Sequence, residues 1–218
     1  MPTAGAVSNV VNASDGVRRA VSAAAGALVL VVLSPVLVAV AVAVRLTMGR
    51  GVLFRQERLG RGGVPFELFK FRTMRHSLPG REGAEFDAER LTRLGEFLRS
   101  TSLDELPSMW NLVRGDMVLV GPRPLPVHYW DRFRGDEYRR FEVTPGLTGL
   151  AQVSGRNAVD WPQRLELDVR YVDERTLAGD LAIIVRTVPM VVGRRGVSAD
   201  GTATMHPLPA DRPPAPVD

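Results

Sequence analysis

"AVSAAAGALVLVVLSPVLVAVAVAV", residues 20–44, is a run of 25 positions without a charged side chain. As one helix it would extend about 37 Å, against a bilayer hydrocarbon core of about 30 Å. The run is membrane-length rather than core-length. A buried helix of a soluble protein and a signal peptide are the alternatives. The signal peptide would use Arg18-Arg19 as its basic flank and Ala41-Val42-Ala43 as its cleavage site. The apolar stretch is longer than the usual signal core of about 7–15 residues. Ser34-Pro35 interrupts the run. Proline lacks the backbone N–H and clashes with the preceding turn, so it bends or breaks a helix. The freed carbonyl needs a partner in lipid, and the Ser34 hydroxyl is a local candidate. Arg18 and Arg19 precede the run; Arg45, Arg50 and Arg55 follow it. Basic flanks at both ends give the positive-inside rule no preference for crossing. A helix that enters, breaks at Ser34-Pro35 and leaves on the same side puts both flanks on the cytoplasmic face. A re-entrant hairpin is therefore expected, with a full span as its alternative.

The remaining composition narrows the chemistry. A chain of 218 residues suits one domain with an appendage. It contains no cysteine, which excludes a disulfide framework, a Cys-based zinc site and a cysteine nucleophile. A formal net charge of +4 favours anionic partners: lipid headgroups, nucleotides or nucleic acid. Lys70 is the only lysine beside many arginines. A compact ammonium does what a planar guanidinium cannot, so a local need is one reading and composition drift the other.

Along the chain, residues 1–17 are small and polar and read as disordered. Residues 51–75 read as a β-hairpin turning at Gly60–Gly63, and residues 76–85 as a polar loop. "FDAERLTRLGEFLRS", 86–100, spaces Leu91, Leu94 and Leu98 as one basic amphipathic helix suited to a core or a membrane interface. A second helix is expected from about Asp104 to Arg114, stopping at Gly115. "MVLVGPRPLP", 117–126, reads as a short strand entering a proline-fixed loop, and 143–157 as turn-rich with short strands. Residues 160–175 form another amphipathic helix, and 180–193 are apolar enough to touch lipid but short for a span. The Pro- and Ala-rich stretch from Arg194 onward reads as a disordered tail.

"TSLDELPSMW", 101–110, places Asp104 and Glu105 before a proline and an apolar run. Alone this is a helix start, with Asp104 as N-cap, Glu105 favourable to the dipole and Pro107 in the first turn. Arg72, Arg99, Arg123 and Arg156 stand in loops or at element ends, Arg123 fixed between Pro122 and Pro124. Cations on such fixed loops are the usual material of phosphate sites. Any single one of them also reads as a solvated arginine. Neither a P-loop nor a dinucleotide fingerprint is present. His76, His128 and His206 lie too far apart for ligand spacing. An acidic pair with a phosphate substrate suits Mg²⁺, which takes one or two carboxylates plus phosphate oxygens.

Three segments, "LFRQERLGRGGVPFELFKFRTMR", "LRSTSLDELPSMWNLVRGDMVLVGPRPLP" and "VTPGLTGLAQVSGRN", together resemble the bacterial sugar transferases, the monotopic polyprenyl-phosphate phosphoglycosyl transferases. The likeness runs from the hydrophobic segment to about residue 192, and the short chain resembles the minimal catalytic form. It implies that Asp104 is a nucleophile attacking the β-phosphorus of a UDP-sugar. A covalent sugar-phosphoryl aspartate and UMP would form, and polyprenyl (undecaprenyl) phosphate would then take the sugar phosphate. It implies further that Glu105, with Asp104, holds Mg²⁺. Lys70, Arg72, Arg99, Arg123 and Arg156 fall at matching positions as phosphate ligands. Asp168 in "ELDVRY" fits an acidic position, and Ser34-Pro35 fits the break of a re-entrant helix. "GRNAVDWPQRLELDVRYVDE" is similar to members using N-acetylated amino-sugar nucleotides; a UDP-hexose donor is the alternative. A serine stands in "AQVSGRN" where asparagine is common before the glycine.

The expected fold class is therefore α/β (α+β): a re-entrant membrane helix, a small hairpin with short strands, and interfacial amphipathic helices around the site. The expected boundaries are a disordered 1–17, a membrane helix 18–48, a catalytic domain 49–193 on the cytoplasmic face of the bacterial inner membrane, and a disordered tail 194–218. Expected partners are UDP-sugar, polyprenyl phosphate and membrane lipids, with no nucleic acid; a homodimer is an open option. A membrane-anchored binding protein for anionic lipid or nucleic acid is the competing class. It explains the charge and the anchor but not the Asp-Glu pair, Lys70 and the fixed Arg123 in one chain.

Overall fold

The structure, a computed structural model, describes residues 13–77, 86–155, 159–192 and 208–209. Helix α1 (Ala13–Val32) and α2 (Ser34–Met48) form one apolar unit bent by 67°. No single described helix is long and apolar enough to cross a membrane; the bent pair passes by length and composition together. The bend sits where the sequence places it. Pro35 cannot donate to the carbonyl of Val31, and the Ser34 hydroxyl donates to that carbonyl instead, at 2.8 Å. Leu28, Val31, Val32, Val38, Val42 and Leu46 are all exposed along the two arms. An apolar surface this extended marks a contact with lipid or with protein.

Each arm is rooted in the rest of the chain. Val29 and Leu30 of α1 pack with Met109, Leu112 and Met117. Gly26 lets the arm lie close, since a Cβ there would meet the Met109 carbonyl at 2.8 Å and the Leu112 Cβ at 3.0 Å. On α2, Val40 and Val44 pack with Phe71 and Leu98, and Leu103 and Leu106 border that cluster. Residues on either side of Asp104 are thus anchored against the apolar hairpin.

The expected β-hairpin is present as β1 (Leu53–Leu59) and β2 (Pro65–Phe71), antiparallel, turning through Gly60–Val64. Its register pairs Phe54 with Lys70 and Arg58 with Phe66. Directly paired residues share a face, so Arg58 and Lys70 project from the same side. A second, parallel pair joins β3 (Val118–Val120) to β4 (Gly146–Thr148). The crossover between them carries two 3₁₀ segments, Val127–Arg132 and Gly135–Glu142. Tyr129 and Phe141 of these segments, and Phe133 between them, bury against Leu59, Leu165 and Leu208.

Several boundaries differ from those expected. Residues 86–100 are two helices, α3 (Asp87–Arg90) and α4 (Arg93–Ser100). Leu91 leaves the helix to bridge Met74, and the Thr92 hydroxyl caps α4 by accepting the Gly95 N–H at 3.0 Å. The helix expected from Asp104 is a 3₁₀ turn, Leu103–Ser108, that passes into α5 (Met109–Arg114). Pro107 supplies no N–H to the Leu103 carbonyl, so the first turn cannot close as an α-turn. Gly115 ends α5 in the left-handed region, as expected, at φ 79°. In the turn-rich stretch a short helix α6 (Leu150–Val153) follows β4. Helix α7 (Trp161–Glu174) matches the expected amphipathic helix, with Asp160 accepting the Gln163 N–H as its cap. Helix α8 (Leu177–Val192) follows α7. Helix structure already begins at Ala13, inside the stretch read as disordered. Residues 1–12 and most of the tail lie outside the described residues; Leu208 of the tail is buried against the aromatic cluster.

Candidate active site

The acidic pair sits on the 3₁₀ turn, with Ser102 before it in the left-handed region at φ 57°. Among the described residues Ser102 is the only non-glycine with positive φ. Such backbone costs about 1–2 kcal/mol and persists only where packing enforces it. Asp104 makes no side-chain capping bond, so the N-cap reading is corrected: the cap position belongs to Ser102, and Asp104 lies inside the turn. The Ser108 hydroxyl donates to the Glu105 carbonyl at 2.5 Å and closes the turn from its far end.

Glu105 is the electrostatic centre. Lys70 Nζ and Arg123 Nη2 both donate to its Oε1, each at 2.6 Å. Burial opposes its ionisation, but Arg123 and Lys70 outweigh burial and hold Glu105 well below the usual carboxylate range. Asp104 behaves oppositely. Its carboxylate accepts no hydrogen bond from any described residue and is 8% exposed. Burial, then the adjacent Glu105 charge, push Asp104 up to about 6, with Lys70, Arg99 and Arg123 offsetting only part. Two neighbouring carboxyl groups with such divergent surroundings are suited to different tasks. One is fixed by cations; the other is buried beside it without a hydrogen-bond donor among the described residues.

Arg123 is presented by an unusually constrained loop. Four consecutive carbonyls accept donors from three elements, two of them from β1. Pro122 accepts from the Gly146 N–H at 2.9 Å, and Leu125 from the Leu59 N–H at 2.8 Å. Arg123 accepts from Arg140 Nη2 at 2.8 Å, and Pro124 from Arg58 Nη1 at 3.1 Å. These bonds hold the backbone that presents Arg123 between Pro122 and Pro124.

The other expected residues are placed as follows. Arg99, on the last turn of α4, donates through Nε to the Thr73 hydroxyl at 3.1 Å and acts on Asp104 by charge. Arg72 is turned away from the pair. Its guanidinium donates to the Met48 and Gly49 carbonyls and touches His76. The reason is the C-terminus of α2, whose orphan carbonyls and partial negative charge attract a cation. Asp168 is also withdrawn from the cavity: fully buried on α7, it accepts from Arg140 Nη2 at 2.7 Å and Nε at 3.1 Å. It reaches the site only through Arg140 and the Arg123 carbonyl. Arg156 lies outside the described residues.

A cavity opens beside Glu105, lined by Arg58, Lys70, Glu105, Ser108 and Arg123 among others. Arg58 and Arg140 are the residues that sequence reasoning missed. Arg58 was within reach, because a tight turn at Gly60–Gly63 puts it on the Lys70 face of the hairpin. Arg140 carried no local signal; its partners are Asp168, 28 residues away, and Arg123, 17 away.

For a divalent cation, the described residues contain no group of three or more metal-ligating side chains. The Asp104 carboxylate and the Glu105 oxygen not taken by Lys70 and Arg123 are the available donors. That set suits an ion completed by substrate phosphates, as Mg²⁺ is.

Comparison with known proteins bears on this geometry. Residues 13–194 match the family described as bacterial sugar transferase. The chain is 44% identical over 161 residues to the sugar transferase EpsL of Bacillus subtilis, covering 74% of this chain and 80% of that one. It is 41% identical over 185 residues to a UDP-glucose:undecaprenyl-phosphate glucose-1-phosphate transferase of Caulobacter vibrioides, covering 80% and 69%. It is 38% identical over 165 residues to an undecaprenyl-phosphate galactose phosphotransferase of Salmonella typhimurium, covering 68% of this chain and 35% of that longer protein. The match takes in the bent helix pair, the acidic turn and the clamped arginine loop alike, and the chain belongs to the bacterial sugar transferase family.

Proposed function

We propose that this protein transfers a sugar-1-phosphate from a UDP-hexose to polyprenyl phosphate at the membrane surface, in two steps through Asp104. The observation that carries the reading is the division of labour in the acidic pair: Glu105 is held by Lys70 and Arg123, while Asp104 beside it accepts no hydrogen bond from the described residues. In the first step an Asp104 carboxylate oxygen attacks the β-phosphorus. The bond from that phosphorus to the bridging oxygen breaks, and its electron pair leaves with UMP. In the second step an oxygen of the lipid phosphate attacks the same phosphorus, forming the diphosphate and returning the carboxylate. Splitting the transfer in this way predicts ping-pong kinetics. Negative charge spreads over the transferring phosphoryl oxygens, and Lys70, Arg123 and Arg99 are placed to stabilise it. Mg²⁺ held by Asp104 and Glu105 would supply further charge neutralisation at these oxygens.

A hexose is chosen because relatives are named for glucose and galactose transfer. These names favour the UDP-hexose alternative over the N-acetylated amino sugar suggested by the "GRNAVDWPQRLELDVRYVDE" stretch. The membrane part of the reading rests on the bent helix pair and its exposed apolar arms. A re-entrant anchor would set the site at headgroup level, where a soluble nucleotide sugar and a lipid phosphate can both reach it. The test is direct. Membranes carrying the protein, given polyprenyl phosphate and a panel of UDP-sugars, are expected to release UMP with UDP-glucose or UDP-galactose. Asp104→Asn is expected to abolish release, and protein given UDP-sugar alone is expected to gain the mass of a hexose phosphate. Turnover retained in folded Asp104→Asn would refute the covalent route.

A further inference from the structure

The cavity beside Glu105 contains a cation that the mechanism above leaves without a task. Arg58 lines it together with Lys70, Glu105 and Arg123. Its guanidinium donates to neutral acceptors, the Pro124 carbonyl at 3.1 Å and the Gln56 side-chain oxygen at 2.6 Å. Its Nε is buried without an acceptor. Among the described residues, the Glu105 carboxylate pairs with Lys70 and Arg123, and none pairs with Arg58. Burial, and then the like charge of Arg123, lower its guanidinium to about 10. The nearby Glu105 charge offsets only part of this and is already held by Lys70 and Arg123; an anion entering the cavity would offset more of the cost of desolvating Arg58.

Position indicates which anion. Neither Asp104 nor Arg99 lines this cavity. The charged neighbours of Arg58 are Arg123 and Glu105, not Asp104. Arg58 therefore neighbours Glu105 rather than the nucleophile. In an in-line displacement the leaving oxygen departs opposite the attacking one. Resting on the transferase reading, we infer that Arg58 holds the phosphomonoester that lies opposite Asp104: the nucleotide phosphate as it leaves in UMP, and the lipid phosphate as it enters the vacated place. Its N–H groups not used on Pro124 and Gln56 are the donors.

Binding of UMP and uridine, and of a short-chain polyprenyl phosphate and its alcohol, is measured on full-length protein in detergent. Arg58→Gln keeps a donor for the Pro124 carbonyl and removes the charge. It is expected to weaken UMP at least tenfold and leave uridine unchanged, with Arg58→Lys intermediate. A matching loss on the lipid phosphate, but not on the alcohol, assigns one shared phosphate place; a loss on UMP alone assigns the nucleotide. Equal losses on UMP and uridine would show that Arg58 only braces the loop, and an unchanged UMP affinity in folded Arg58→Gln would also overturn the inference. Hexose-phosphate loading of the wild type separates these outcomes from failure of the transferase reading. If the wild type neither loads nor binds UMP, that reading falls and Arg58's role with it.

Discussion

At the residue scale, Asp104 and Glu105 share a turn but not an environment. Glu105 spends its charge on Lys70 and Arg123, whereas Asp104 accepts nothing from the described protein. The backbone that holds them is strained at Ser102, and a β-branched side chain tolerates that conformation far less well than serine. Ser102→Val is expected to cost about 1–2 kcal/mol, read as a lowered midpoint in thermal or denaturant unfolding. Ser102→Asn is expected to leave the midpoint nearly unchanged, because asparagine visits the left-handed region readily. Asp168 and Arg140 form a nearly inaccessible ion pair, at 3% and 2% side-chain exposure. Asp168→Asn keeps the shape and leaves the Arg140 charge buried without a counter-ion. It is expected to cost about 3 kcal/mol and to slow UMP release by loosening the Arg123 loop. Unchanged stability in that variant would show that the pair is not the clamp described here.

At the element scale, the bent helix pair is attached through both arms. One arm depends on the close approach at Gly26. Gly26→Leu places a side chain where even a Cβ would meet the Met109 carbonyl at 2.8 Å. A loss of about 1–3 kcal/mol is expected, with a parallel loss of UMP release because α5 continues the acidic turn. The bend itself has a local cause, Pro35 with Ser34, so its position is independent of what surrounds the helix. Whether both ends face one side of a membrane is open to measurement, since the chain has no cysteine to interfere. Single cysteines introduced near residues 5 and 60 are expected to react with an impermeant reagent from the same side. Labelling from opposite sides would replace the re-entrant hairpin with a span.

At the scale of the whole molecule, a buried ionic network joins distant parts of the chain. Arg18 Nε donates to Asp180 at 2.6 Å, and Tyr171 donates to the same carboxylate at 2.8 Å. Asp15 takes Arg61 at 3.4 Å and also pairs with Arg175. Helix α1, the hairpin turn, α7 and α8 are thereby tied across sequence separations of 9 to 162 residues. Asp180→Asn leaves Arg18 less well neutralised in a desolvated setting. Faster amide exchange across residues 13–20 is expected, with the β1–β2 hairpin unaffected. Exchange unchanged at the start of α1 would show that apolar packing alone seats the helix.

Local physics made much of this legible in the sequence. The apolar run, its break at Ser34-Pro35, the hairpin turn and the Gly115 stop each depend on residues within a few positions of one another. Proline geometry, glycine freedom and strand alternation act at that range. The functional candidates Asp104, Glu105, Lys70 and Arg123 were recognisable as types in a pattern, but their grouping on one carboxylate oxygen was not. That contact joins residues 35 and 18 positions apart. The same limit explains Arg72, drawn to the orphan carbonyls of α2, and Asp168, which reaches the site only through Arg140. It also explains why residues 86–100 break at Leu91: helical spacing was satisfied, but a bridge to Met74 was worth more. Sequence alone determined which groups the protein has to work with and where the chain must turn. Tertiary structure decided which charges neutralise each other, because that depends on desolvation and on approach through space.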